Sequence, residues 1–147
     1  MHSSGKTDTG IKRNNNQDSI FFSDTPVGPL PNLYIVADGM GGHRAGDKAS
    51  RMAIDITVDF IEKSTIENPV ALLKRAMLFV NNEIYKAACA DPDLNGMGTT
   101  MVAAVAQDGK AYYYFERVHS EPIVCDRRRD SSDHNGSFAC RGTDPKR

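Results

Sequence analysis

Hydrophobic patterning in this sequence stops near residue 115, and that limits how much of the chain can build a core. Over residues 116–147 the large aliphatic or phenyl residues are Val118, Ile123, Val124 and Phe138, against seven Lys or Arg and six Asp or Glu. Such a stretch buries too little apolar area to offset the entropy of ordering its backbone. Residues 116–147 are therefore expected to form a disordered tail, and residues 1–115 the folding unit.

Within that unit, periodicity sorts the elements. Residues 19–23 read as a strand after the polar run 14–18. Prolines and glycine at 26–31 mark a turn. Residues 33–37 are almost wholly apolar and read as a buried strand, and 38–43, Asp-Gly-Met-Gly-Gly-His, as a loop. From 46 to 64, Lys48, Arg51, Asp55, Asp59 and Glu62 form a narrow polar stripe at helical spacing. The wide apolar remainder, including Ala49, Ile54, Phe60 and Ile61, calls for neighbours on more than one side.

A second helix opens at Asn68-Pro69, an N-cap followed by proline at the first helical position. Its apolar face is Leu73, Ala76, Met77, Val80, Ile84 and Ala87, and it ends before Asp91-Pro92. Residues 99–106 and 111–115 read as strands joined by a hairpin turn at 107–110. This order is α+β, without the regular alternation of a doubly wound parallel sheet.

Composition removes several classes of function. With 18 Lys+Arg and 19 Asp+Glu the formal net charge is −1, which argues against nucleic acid or an anionic membrane held by bulk charge. No apolar run approaches the ~18 residues of a membrane-spanning helix, and residues 1–19 lack a signal-peptide core. A cytoplasmic protein is expected. Cys89, Cys125 and Cys140 are widely spaced with no CxxC pair, so no disulfide framework is expected.

The chemically informative residues are carboxylates beside apolar strands. Asp18 immediately precedes the first strand, and Asp38 lies just past the end of the second. Glycines at 39, 41 and 42 let a carbonyl or a ligand approach without a Cβ in the way. Two carboxylates with a free carbonyl suit a hard cation such as Mg²⁺ or Mn²⁺, and the guanidinium of Arg13 suits phosphate oxygens. On residue types alone an Asp-Gly pair is more often a turn, and that reading carries more weight.

Longer motifs shift the balance. Thr7-Asp8-Thr9-Gly10-Ile11-Lys12-Arg13-Asn14-Asn15-Asn16-Gln17-Asp18-Ser19 resembles the opening motif of the metal-dependent serine/threonine protein phosphatases, the PPM or type 2C family. Val36-Ala37-Asp38-Gly39-Met40-Gly41-Gly42-His43 resembles the second motif in its bacterial form, and Gly96-Met97-Gly98-Thr99-Thr100 the third. They occur in the family's order.

The resemblance implies a pair of antiparallel sheets flanked by helices, in α-β-β-α layers, of which residues 1–115 would form the N-terminal part. It implies hydrolysis of phosphoserine and phosphothreonine by a water activated between two Mn²⁺ or Mg²⁺ ions, with no covalent intermediate. By motif position Asp18 and Asp38 would ligate metal, Gly39 would offer its carbonyl, and Arg13 would bind the substrate phosphate. The partner would be a phosphorylated protein, opposed to a serine/threonine kinase. Where some members carry a histidine after the Asp-Gly pair, this chain has Met40, which cannot transfer a proton; His43 is not taken as its substitute.

The likeness ends abruptly. After 111–115 the family would read Gly-Asp-Ser-Arg, and this chain reads Glu116-Arg117-Val118-His119. The family's later metal aspartates have no counterpart, so metal affinity should fall and apolar sheet surface should lie open. The chain reads as a truncated member with an unrelated tail. Its alternatives are a non-catalytic phosphoprotein-binding remnant and a non-functional frameshifted product. Within the tail, Arg127-Arg128-Arg129 reads as a solvated charge cluster, and His119, Cys125, His134 and Cys140 match no standard zinc spacing.

Overall fold

Alternation along four strands gives one face packed on helices and one turned away from them. The computed structural model describes residues 2–11, 15–41 and 45–118. Arg13, His43 and the tail beyond Val118 lie outside the described residues. The elements are β1 (Asp18–Ser23), β2 (Leu33–Met40), α1 (Ala45–Glu62), α2 (Pro69–Ala90), a 3₁₀ turn (Pro92–Leu94), β3 (Gly98–Gln107) and β4 (Lys110–Val118). The sheet runs β1-β2-β3-β4 with every neighbour antiparallel. The class is α+β, as expected, with one sheet and one helical layer among the described residues.

Both helices pack on the same face of the sheet. Leu33, Ile35 and Ala37 of β2 and Met101, Ala103 and Val105 of β3 bury there with Ala49, Ala53 and Ile61 of α1 and Leu73, Met77, Val80 and Ile84 of α2. Where polar groups enter this core, they are bonded. Thr57 Oγ1 donates to the Ala53 carbonyl at 2.6 Å, and the hydroxyls of Ser19 and Ser50 pair at 2.9 Å. Asn68 caps α2 as expected, its Oδ1 accepting from the Ala71 amide at 3.0 Å. Asp108 and Gly109 both take positive φ, the geometry of a two-residue hairpin turn. No described helix is long and apolar enough to cross a membrane.

Several element boundaries differ from expectation, those of β1 and β3 by one residue each way at most. The segment read as a loop from residue 38 continues β2 to Met40, because Gly39 and Met40 pair with Thr99 and Gly98. Cross-strand bonding overrides the weak strand preference of glycine. The strand expected over 111–115 runs to Val118: Glu116, Arg117 and Val118 pair with Met101, Thr100 and Thr99, and Val118 is fully buried. Helix α1 begins and ends earlier than residues 46–64, at Ala45–Glu62.

Among the described residues the far face of the sheet is apolar and exposed over much of its area, residues 3–7 lying against Ile20 and Phe22. Phe22, Val36, Val102, Tyr113 and Phe115 are 46%, 55%, 39%, 71% and 52% exposed. The amino-terminal segment runs beside β1, where the Ser3 amide donates to Asp24 Oδ2 at 2.7 Å and the Tyr34 hydroxyl to Oδ1 at 2.9 Å. The Ser3 amide bond first, and then that of the Tyr34 hydroxyl, hold the Asp24 carboxyl below the usual carboxylate range.

Asn32 extends the sheet by one side chain. Its Nδ2 donates to the Ala106 carbonyl at 2.6 Å while its Oδ1 accepts from the Ala106 amide at 2.7 Å, replacing a backbone partner ahead of β2. Asn32→Ala leaves both backbone groups of Ala106 short of a partner, so stability should fall by about 1–3 kcal/mol. A urea midpoint lowered at unchanged slope is the expected readout.

Candidate functional site

Register, more than sequence distance, brings the two aspartates together. Asp18 lies directly opposite Asp38, Asp38 opposite Thr100, and Thr100 opposite Arg117, so one row crosses all four strands on the face away from the helices. The Gly39 amide donates to the Gln17 carbonyl at 3.0 Å, which makes the neighbouring 18–38 pair a non-hydrogen-bonded one. In such pairs the Cα atoms are about 4.5 Å apart and the side chains close together. Two like charges directly opposite destabilise a sheet unless a cation or donor sits with them. Asp38 is exposed and Asp18 half-buried.

Sheet pairing fixes the backbone around these carboxylates. Asp38 lies inside β2 and Asp18 is the first residue of β1, which corrects the expectation of a residue just past and a residue just before a strand. Asn16 Oδ1 accepts from the Asp18 amide at 3.1 Å, and Asn16 Nδ2 donates to Thr7 Oγ1 at 2.9 Å, tying the opening motif together. Thr99 Oγ1, from the third motif, donates to the Asp38 carbonyl at 2.9 Å. The three motifs thus converge on one end of the sheet through their polar side chains.

Gly39 has a packing role that its spelling did not reveal. A Cβ there would stand far inside van der Waals contact distance of the Gly46 carbonyl oxygen and 2.6 Å from that of Gln17. Absence of a side chain lets the first turn of α1 close onto β2. A Cβ on Gly46 would in turn meet Gln17 Oε1 at 2.8 Å. Gln17, Gly46, Thr99, Thr100 and Arg117 were missed as site neighbours. For Arg117 the available signal was the alternation of β4, which continues through Tyr113, Phe115 and Arg117.

The donor set is small. Among the described residues no group of three or more His, Cys, Asp or Glu side chains could hold a metal ion. Two close carboxylates supply hard oxygen donors of the kind Mg²⁺ and Mn²⁺ prefer, with less charge than a two-ion centre ordinarily uses. Arg13 falls outside the described residues, so the structure does not test its expected contact with phosphate.

Comparison with known proteins supports the motif reading. A family model described as Protein phosphatase 2C matches residues 10–115. The serine/threonine phosphatase stp of Listeria monocytogenes is 43% identical over 110 residues, covering 71% of this chain and 42% of that protein. The crystal structure of the Mycobacterium tuberculosis serine/threonine phosphatase PstP/Ppp superposes with a TM-score of 0.62 at 30% identity, covering 76% of this chain and 44% of that one. A structure of the PstP catalytic domain in complex with two manganese ions superposes with a TM-score of 0.56 at 28% identity, covering 74% of this chain and 52% of that one. The chain spans less than half the length of the Listeria relative.

Gly39→Ala tests the packing role directly. Its Cβ has backbone, with no flexible side-chain tip, to displace. The variant should lose about 1–3 kcal/mol of stability by overpacking, read as a lower denaturation midpoint in the absence of any metal.

Proposed function

The chain belongs to the protein phosphatase 2C family, and on that premise we propose that it is a metal-dependent protein serine/threonine phosphatase. The observation that carries the reading is the cross-strand pairing of Asp18 with Asp38 on the open face. Asp18 and Asp38 would hold divalent cations, Mn²⁺ or Mg²⁺, with the Gly39 carbonyl as a further oxygen donor. Such cations neutralise phosphoryl charge and lower the pKa of water, so that no serine or cysteine nucleophile is needed.

The protein's own groups have separable parts in that chemistry. Strand pairing sets the backbone of Asp18 opposite that of Asp38, and the bond from Thr99 Oγ1 to the Asp38 carbonyl ties β3 to it. Arg13 would receive the phosphate of a phosphoserine or phosphothreonine side chain, since guanidinium matches phosphate oxygens in a fork. Residues 1–115 would be the phosphatase-like unit, extended by the end of β4 to Val118, and the residues beyond it a separate tail. The substrate would be a cytoplasmic phosphoprotein, a target of a serine/threonine kinase. Two carboxylates give weaker cation binding than a full ligand set, so saturation is expected only at high metal concentration.

A second reading, a non-catalytic module that binds phosphoproteins through Arg13, is favoured by the smallness of the donor set among the described residues. Phosphate release from a phosphothreonine peptide, with and without millimolar Mn²⁺, separates the two. Metal-dependent release, reduced at least a hundredfold in Asp38→Ala and abolished by chelator, is the expected result. A folded chain that binds the peptide but releases no phosphate at any metal concentration overturns the catalytic reading.

A further inference from the structure

We propose that Asn16 is a positioning residue for the cation site: its side chain, held from behind by Thr7, keeps the backbone of Asp18 opposite that of Asp38. The role rests on the metal-dependent reading above and assigns it a residue that touches neither cation nor substrate. Strand geometry creates the need for it. Among the described residues β1 is an edge strand, with β2 as its neighbour. The Asp18–Asp38 pair is non-hydrogen-bonded, so the Asp18 amide points away from β2. Its partner is Asn16 Oδ1, at 3.1 Å, a side chain bonding the backbone two residues on.

The other end of the same amide is also used. Asn16 is half-buried, and its Nδ2 donates to Thr7 Oγ1 at 2.9 Å. A backbone N–H only donates, so Oδ1 must face Asp18 and Nδ2 the hydroxyl. One planar group therefore joins Asp18 to Thr7, and both residues line one cavity of about 320 Å³. Gln17, between Asn16 and Asp18, bonds in the opposite direction, its carbonyl accepting from the Gly39 amide at 3.0 Å. Residues 16–18 are thus tied on one side to β2 and on the other to Thr7.

Charge explains what the ties resist. Carboxylates directly opposite one another repel, which favours any rearrangement that separates them when no cation is bound. Asp38 lies inside β2 and is paired on both sides, to β1 and to β3. Asp18 is the first residue of an edge strand, the place where a sheet frays. Asn16 opposes that fraying. A cation then meets two donors whose backbones are already in place, and less of its binding energy goes into ordering them.

Mn²⁺ alone is the probe, titrated into the whole chain and followed by the electron paramagnetic resonance of the free aqua ion. Asn16→Leu keeps the size of the side chain and loses both bonds; it should weaken Mn²⁺ binding about tenfold, the low end for partners that orient metal ligands. Thr7→Val should weaken it by less, and Thr7→Ser, which keeps the hydroxyl, should bind as the unsubstituted chain does. Asn32→Ala controls for stability alone: it removes two side-chain bonds to Ala106 at the other end of β2 and should leave Mn²⁺ affinity unchanged. Equal affinity in Asn16→Leu and the unsubstituted chain, equal weakening by Asn32→Ala, or a Thr7→Ser variant no better than Thr7→Val overturns the positioning role and leaves the metal-dependent reading standing. An unsubstituted chain that takes up no Mn²⁺ at millimolar concentration overturns that reading, and the positioning role with it.

Discussion

The contact between Gly39 and the first turn of α1 is the constraint on which the rest of the described structure depends. With no side chain at residue 39, the Gly46 carbonyl approaches β2 more closely than any Cβ would permit. That approach fixes where α1 leaves the sheet, and hence which of its residues bury. Ala49, Ala53 and Ile61 follow from Gly46 along the same helical face into the core. The same residue pairs across to β3 and donates its amide to Gln17, so one backbone position connects β1, β2, β3 and α1. Its neighbour in sequence is the carboxylate of Asp38, and the geometry that packs the helix also aims that carboxylate away from it.

The sheet consequently has two unlike faces. The inner one is closed by two helices and has its polar groups satisfied within the protein. The outer one combines a charged end row with two apolar rows, Ile20-Val36-Val102-Phe115 and Phe22-Tyr34-Ala104-Tyr113. Apolar side chains this exposed and this contiguous are unusual on an isolated soluble domain and ordinarily mark a surface that something covers. The charged row is where family likeness and physical argument meet. Acidic side chains placed opposite one another repel unless a cation or a hydrogen-bond donor sits with them.

Likeness to the phosphatases rests on sequence and fold together, over a limited part of the relatives. The matched segment, residues 10–115, carries the second and third motifs and most of the first, with β1, β2 and β3 whole and β4 in part. It supplies one carboxylate pair, where a binuclear centre takes more oxygen donors than two side chains provide.

Sequence by itself determined the class, the number of elements, the N-cap at Asn68, the hairpin at Asp108-Gly109 and the opening motifs, because these depend on local chemistry and on periodicities of about two or 3.6 residues. It also marked Asp18 and Asp38. Only tertiary structure decided that they are partners in one register, that Gly39 serves helix packing, that β2 continues through a glycine-rich stretch, and that Arg117 shares their row. Each of these is a relation between backbones distant along the chain. Glycine leaves no periodic trace of such a relation, and the alternation that reaches Arg117 does not say which strands it will join; cross-strand hydrogen bonds and close approach create the relation only when the strands meet.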